Sequence, residues 1–474
     1  MSPDRSFTAD LSAHPVALAT QAPRPRLAAL AIAVGLVLAD SSIVVLALPR
    51  IYRELDTTVA GVTWVLVSFN LVMALAAVPA AHLARRAGPG RVAAIGLAVF
   101  AGAGLACGLS MQLGTLIAAR AVQALGGAAA VTAVLELLPA TVGSERRAAA
   151  VWAAAGATGA ALGPAIGGLL TELVSWQSIF LLQAPVALVA AAPIFAVAKH
   201  EAATGVVPAE LRETGRPHLL ANLALAMVSA AIAAALFLLV LLLIEGWRLS
   251  PIGAAIVVTA MPLFALLGSR LGGRVPSARA RAAAGAILVS GGLGGLALLP
   301  KAKIVLTLPP QAMVGVGLAL VLSALTETAL AGRAPQAIHG GWTISARHAG
   351  VVVGLLALTP IFTADIAQQR HDAIDAGTAV ILDSRVPPLV KLDLAQRIES
   401  HLEEERGRVP TIGPAFEPLP EDPGEREEVV QLREELQDQL DRGATHAFSA
   451  SFGLAALLGL LALVPIGLAR RVEL

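Results

Sequence analysis

Charge is scarce in this chain. Lys, Arg, Asp and Glu together account for only 14% of the residues, well below the share that a soluble globular domain spreads over its surface. Aromatic side chains are rarer still, at 4%. Close packing must therefore rest on the abundant glycine and alanine, which let helix backbones approach where lipid supplies no hydrophobic drive. One cysteine, Cys107, excludes a disulfide framework and leaves the redox compartment open. There is no Gly-Lys-Ser/Thr phosphate loop, which argues against direct coupling to ATP. His200 and His218 flank a loop without ligand spacing, and no Cys/His cluster occurs, so neither a metal nor a cofactor is expected. The basic residues are dispersed among short loops, which argues against a nucleic-acid partner.

What the chain does have is long apolar runs. Hydrophobic residues make up 56% of it, gathered into twelve stretches near the roughly 20 residues that cross hydrocarbon at 1.5 Å per residue. The spans read as 27–49, 62–84, 92–110, 114–138, 147–170 and 177–197, then 218–244, 252–271, 281–299, 304–330, 341–363 and 446–469. A polar linker, 198–217, divides them six and six. The expected architecture is an all-α membrane protein of two six-helix halves, 27–197 and 218–469, with tails at 1–26 and 470–474. No cleavable signal is evident, since the polar, proline-bearing 1–26 precedes a run long enough to remain as an anchor.

Charge sets the topology. One set of loops carries Arg85, Arg86, Arg91, Arg146, Arg147, Lys199, Arg212, Arg216, Arg270, Arg274, Arg279 and Arg281, with Arg24, Arg26, Arg470 and Arg471 near the ends. The opposite loops hold only Arg50, Arg53, Arg248, Lys301 and Lys303. The positive-inside bias predicts a multi-pass protein of the cell membrane with both termini cytoplasmic. Residues 364–445 break the pattern, with 19 of the 33 acidic residues against nine Lys or Arg. Parity makes that insertion extracytoplasmic. Val429, Val430, Leu432, Leu436 and Leu440 recur at helical spacing there, and Leu389, Leu392, Leu394, Ile398 and Leu402 mark a second helix over about 387–407. Pro410, Pro418, Pro420 and Pro423 separate the two. A solvated helical cap is the plain reading of this segment, and a substrate-gathering or partner-binding role is the alternative.

Few ionisable residues lie at membrane depth. Asp40 in the first span and Arg120 in the fourth both fall roughly 10–14 Å below the outer surface by helical rise, so they can meet. An isolated charge there costs at least about 2.5–3.5 kcal/mol, and a neighbouring opposite charge reduces the penalty. Protonating the aspartate would alter the pairing; a purely structural ion pair is the competing interpretation. Glu327 in span 10 is a lesser candidate, and Glu245 reads as a solvated helix end.

Several motifs resemble a known family. Span 5 contains Gly156-Ala-Thr-Gly159-Ala-Ala-Leu-Gly163-Pro164-Ala-Ile-Gly167-Gly168, similar to the antiporter signature of the major facilitator superfamily. Arg120-Ala-Val-Gln123-Ala-Leu-Gly126-Gly127 is similar to that family's arginine-glutamine-glycine motif. Leu38-Ala-Asp40 through Pro49 resembles the first helix of its drug/proton antiporter branch, usually of fourteen spans, and Ser175-Trp176 through Pro185 fits the start of span 6. The resemblance implies that Asp40 titrates during transport and that Arg120 takes part in proton handling. Gly159, Gly163, Gly167 and Gly168 clear one stretch of side chains and Pro164 bends it, suiting a rocking seal between the halves.

The loop between spans 2 and 3 departs from the family pattern. It reads Ala81-His82-Leu83-Ala84-Arg85-Arg86-Ala87-Gly88-Pro89-Gly90-Arg91, with Arg85 where the family has an acid that latches the halves. Glu136, near the inner end of span 4, is a candidate acid to engage Arg86 or Arg91 instead, with a solvated helix end as the alternative. The two extra central helices are missing. In the second half, Arg270-Leu-Gly-Gly-Arg274 stands where a decayed repeat of this loop would fall, and Arg347-His348-Ala349-Gly350 through Gly354 resembles the opening of the penultimate helix. The resemblance implies substrate held near the midplane between halves. The expected function is proton-coupled efflux of hydrophobic or amphipathic compounds, including drugs, by a monomer that is not an enzyme. The alternatives are a dedicated lipid, siderophore or metabolite transporter, and a non-transporting membrane sensor or scaffold.

Overall fold

The computed structural model describes residues 24–204, 215–275, 277–300, 302–383, 388–404, 413–417, 419 and 422–469. The N-terminal tail to residue 23, residues 205–214 of the 198–217 linker with Arg212, Lys301, Pro410, Pro418, Pro420, Arg470 and Arg471 lie outside them. So do the side chains of Arg24, Arg146, His200, Leu389, Leu402 and Leu440.

The described chain is helical, and the first half runs α1 (Arg24–Val45), α2 (Leu48–Glu54), α3 (Val59–Ala87), α4 (Pro89–Gly108), α5 (Leu113–Val142), α6 (Glu145–Leu173) and α7 (Gln177–Thr204). The second half continues with α8 (Leu219–Leu241), α9 (Pro251–Val258), α10 (Ala260–Gly272), α11 (Ala278–Ala297), α12 (Ile304–Leu330) and α13 (Gln336–Asp383). After α14 (Pro388–Glu404) and α15 (Pro423–Ala447) come α16 (Ser449–Leu461) and α17 (Leu463–Leu468). Twelve helices or joined pairs are long and apolar enough to span a membrane, matching the twelve expected runs.

Local chemistry sets the ends. The Thr58 hydroxyl accepts from Gly61 N–H, that of Ser144 from Arg147 N–H and that of Ser250 from Gly253 N–H, each satisfying an orphan donor of a first turn. Gly88 closes α3 at φ 94°, a backbone state open to glycine, and Pro89 starts α4. Apolar side chains such as Leu75, Val189, Ile256 and Val305 face outward, a surface suited to acyl chains rather than water.

Within the first half α1 packs on α6 and α4 packs on α5 and α7; within the second, α11 packs on α12 and α16, and α8 on α13. The halves meet where α13 lies against α3 and α5, and where α6 meets α9. The bundle has a basic end, with the α3–α4 loop, and an insertion end, with α14 and α15.

Two boundaries differ from expectation. The first span stops at Val45 and a separate helix, α2, takes Leu48 to Glu54, because the chain turns before Pro49 enters a new first turn. Span 11 does not stop at 363: α13 continues to Asp383 through residues with no interior breaker after Pro360. The two helices expected in the acidic insertion are present as α14 and α15, and Leu394, Phe416, Val429, Leu432 and Leu436 form a small core of their own. Trp247 Nε1 donates to Thr445 Oγ1 at 3.0 Å, tying the end of the insertion to the bundle, and the Phe362 and Phe448 rings of the two flanking spans lie 4.3 Å apart.

Candidate functional site

Helices α1 and α5 bring Asp40 and Arg120 together. Arg120 Nη2 stands 2.6 Å from Asp40 Oδ2, and both side chains are wholly buried. The contact is short but off the hydrogen-bond line, so both Asp40 oxygens lack a well-directed donor among the described residues. The guanidinium has further partners. Nη1 donates to Gln123 Oε1 at 2.7 Å, Nε donates to the Val65 carbonyl at 3.3 Å, and the Phe69 and Phe180 rings lie 4.2 and 5.5 Å from it. Gln123 passes the network on, donating through Nε2 to Gln183 Oε1 at 2.8 Å and accepting from Cys107 Sγ at 3.7 Å. Four helices thus hold one cation, and α4 joins them through Cys107 and Gln123.

Gln123 and Gly126 therefore serve the same helix in different ways. A Cβ on Gly126 would collide with Gly96 O and Phe100 N at 2.5 Å, so the residue lets α5 lie directly on α4. Sequence alone gave no weight to Val65, Phe69, Gln183 or Cys107. A polar Gln183 within an apolar run was the one available signal.

The span 5 glycines correct an expectation. A Cβ on Gly159 would strike Gly35 O, on Gly163 the Ser42 hydroxyl, and on Gly167 Ile43 O. All three face α1, in the same half, directly behind Asp40. Only Gly168 faces the other half, where a Cβ would meet Pro251 O at 2.7 Å and the Ala255 side chain at 2.5 Å on α9. The smooth ridge is thus chiefly an α1 track, because its i, i+4, i+8 spacing fixes one face that α1 already covers. Pro164 lies within α6 beside it.

At the basic end, Arg86 and Arg91 are exposed while Arg85 and Glu136 are partly buried. Arg85 supplies a cation whose charge acts on Glu136, with Glu145 opposing it. The expectation had named Arg86 or Arg91. Glu327 pairs with Arg281 at 2.5 Å near the same end and is two-thirds exposed.

The insertion end overturns the reading of Glu245 as a solvated helix end. A π-helical turn, Leu242–Gly246, follows α8 and turns that carboxylate inward, leaving its side chain 1% exposed. Arg53, on α2 of the other half, donates to Glu245 Oε2. Buried Tyr52 lies beside them; burial, reinforced by the Glu245 charge, pushes its phenol far above the ordinary value. Glu172 of α6 accepts from Ile252 N–H of α9 at 2.7 Å, a second bond across the same seam.

A third cross-half contact lies deeper. Asn70 of α3 donates through Nδ2 to Leu66 O at 2.8 Å, so its Oδ1 is the acceptor facing His348 Nδ1 of α13 at 2.6 Å. The proton of that contact therefore belongs to His348 Nδ1. Asn70 Nδ2 also approaches Ser41 Oγ, next to Asp40, at 3.4 Å. No group of three or more metal-ligating side chains occurs among the described residues.

Residues 30–359 match the Major Facilitator Superfamily. The chain belongs to that family. It is 36% identical over 252 residues to the methylenomycin A resistance protein of Streptomyces coelicolor, covering 51% of this chain and 50% of that protein. It is 35% identical over 170 residues to the tetracenomycin C resistance and export protein of Streptomyces glaucescens, covering 35% and 32%. Against the multidrug resistance protein Stp of Mycobacterium tuberculosis it is 37% identical over 149 residues, covering 31% and 28%. The matched stretches span half or less of these relatives. A bacterial homolog of the human lysosomal transporter Spinster, inward-facing and unoccupied, aligns over 93% of this chain and 98% of its own, with TM-score 0.55 and 16% identity. Its occupied form gives TM-score 0.57 at the same identity. That likeness establishes the fold, and both family and fold are those of membrane transporters rather than of an enzyme class.

Proposed function

We propose that this chain is a proton-coupled exporter of amphipathic small molecules, with Asp40 as the proton-binding group and Arg120 as its partner. The observation that carries the reading is the fully buried pair at 2.6 Å, whose cation has other partners while its anion has none so well directed. When Asp40 takes a proton, the Gln123 carbonyl, the Val65 carbonyl and two ring faces still solvate Arg120. A desolvated cation–π contact alone contributes up to about 2 kcal/mol. Neutralising the acid therefore does not strand a bare cation in the bundle, and the pair can cycle.

Helix α1 links that cycle to movement. Its Asp40 side faces α5 and its opposite side rides on the Gly159, Gly163 and Gly167 track of α6, where α6 presents no side chain and the Ser42 hydroxyl donates across to Ala160 O at 3.2 Å. Loss of the ionic contact frees α1 to shift along this track. One charge crossing about 100 mV supplies roughly 2.3 kcal/mol and each pH unit adds about 1.4 kcal/mol, enough to drive a modest concentration gradient. The names of the Streptomyces and Mycobacterium relatives, resistance and export proteins, support efflux as the direction. The basic end would be cytoplasmic and the acidic insertion external, as the loop charges favour. The spans offer few polar side chains, so the path would be mostly apolar, which fits amphipathic cargo better than sugars or peptides.

Asp40→Asn tests it in vesicles carrying the purified protein and an imposed pH gradient. Proton-driven efflux of a fluorescent amphiphile should vanish while insertion and folding persist. Efflux at the wild-type rate would refute the role of Asp40.

A further inference from the structure

Among the described residues, only two arginines lie far from the ends of the spans, Arg120 and Arg347. Arg120 is neutralised by Asp40. Arg347 is about 16 Å in from the start of α13 at 1.5 Å per residue, close to mid-span. The carboxylates within the described spans are Asp40, Glu136, Glu172, Glu245, Glu327 and Asp365. Asp40 is taken by Arg120, Glu245 by Arg53, Glu327 by Arg281, and Glu172 by Ile252 N–H. Glu136 lies far down α5 at the basic end, and Asp365 lies about 27 Å further along α13. Among the described residues no carboxylate forms an ion pair with Arg347. Arg347 is only partly buried.

The helix face on which Arg347 stands is informative. One and two turns below it, Ile344 joins the core of the first half and Gly340 packs on Leu135 of α5. That face of α13 points between the halves, not to lipid. Next to Arg347, His348 is bound to Asn70, which reaches toward the Asp40 turn of α1. At mid-depth the fixed charges are thus one carboxylate and two guanidiniums, an excess positive charge in a low-dielectric setting. Resident cations at that depth are normally paired.

We infer that Arg347 is an anion-accepting group of the substrate path, and that the exported compounds are amphiphiles bearing a carboxylate or similar single negative charge. This rests on the transport reading above and names its substrate class. A planar guanidinium binds a carboxylate through two parallel hydrogen bonds, and charge-assisted bonds of this kind are about twice as strong as neutral ones.

One scaffold with three headgroups tests it: pyrenebutanoate, its neutral methyl ester, and pyrenebutylamine. Binding is read by energy transfer from tryptophan to pyrene on the full-length protein in phosphatidylcholine vesicles, with Trp342 on α13 a nearby donor. The wild type should bind the carboxylate about tenfold tighter than the ester, and tighter still than the amine. Arg347→Gln should erase that preference, leaving ester affinity within about threefold of wild type; Arg347→Lys should retain part of it. Equal binding of carboxylate and ester by the wild type overturns the inference, as does an undiminished preference in a folded Arg347→Gln. Binding requires no proton gradient, so the two readings fail separately. A carboxylate preference without proton-driven efflux sinks only the transport mechanism, and proton-driven efflux of all three probes alike sinks only the role of Arg347.

Discussion

Removing Arg53 should open the insertion end. Its partner Glu245 has a side chain 1% exposed, whereas Arg53 itself is 53% exposed. Arg53→Ala therefore leaves a buried carboxylate without its cation, a change that costs 3–5 kcal/mol when both partners are buried. Half of this pair faces solvent, where screening weakens the attraction, so about 2 kcal/mol is the appropriate figure. The charge returns to water when α2 and the Leu242–Gly246 turn separate. A cost of about 2 kcal/mol on the closed arrangement raises the ratio of open to closed by roughly 30-fold. Glu245→Gln removes the charge that needs compensation, so Arg53→Ala in that background should shift the ratio only a few-fold. The assay is distance measurement between spin labels at Met111→Cys and Leu298→Cys, both highly exposed beside the insertion end and in opposite halves. Cys107 is buried and would contribute little background label. An unchanged distance distribution in Arg53→Ala, or equal shifts with and without Glu245, would refute the latch.

Two further outcomes are expected. Gly163→Ala should lower thermal stability by roughly 1–3 kcal/mol, because its Cβ would meet the Ser42 hydroxyl and come within 3.1 Å of Ile43 N. Gly102→Ala, with nothing within 4 Å of the added carbon, is the control, and equal melting of the two would dismiss the α1 track. For sidedness, a membrane-impermeant maleimide should label Glu427→Cys in intact cells and Arg274→Cys only after permeabilisation, both positions being exposed. The reverse pattern would put the basic end outside.

The spans were legible because hydrophobic run length is a local property, and the depth of Asp40 and Arg120 follows from counting residues along two helices. Glu245 was misread for a non-local reason. Hydropathy places it at a helix terminus, where water is the default partner. Its burial depends on a π-helical turn and on α2 returning across the seam, neither of which leaves a periodic signal in five or seven residues. The glycines of α6 were recognised as a smooth face, but the sequence does not say which neighbour fills it. Gly35, Ser42 and Ile43 supply that answer only in three dimensions. Arg85 departs from the family pattern, and its effect on Glu136 is visible only once α3 and α5 are side by side.

The same short stretch carries both the proton-binding acid and the latch. Asp40 lies near the end of α1, and after a turn at Leu46–Ala47 the chain enters α2, which holds Tyr52 and Arg53 against Glu245. Arg50 of α2 also donates to the Thr171 carbonyl at 2.8 Å, and Glu54 accepts from Trp176 Nε1 at 2.8 Å. These bonds tie α2 to the far end of α6 and the start of α7, so α2 is a held helix rather than a loose loop. On the proposed reading, a shift of α1 along the α6 glycines when Asp40 is protonated strains α2 between its backbone link to α1 and its bonds to α6 and α7, and so perturbs the Arg53–Glu245 contact. The two events would then be coupled through one backbone, without a relay of side chains. Asp40→Asn, which mimics the protonated acid, should accordingly move the Met111–Leu298 distance in the same direction as Arg53→Ala. A shift in the opposite sense would mean that α1 and α2 move independently.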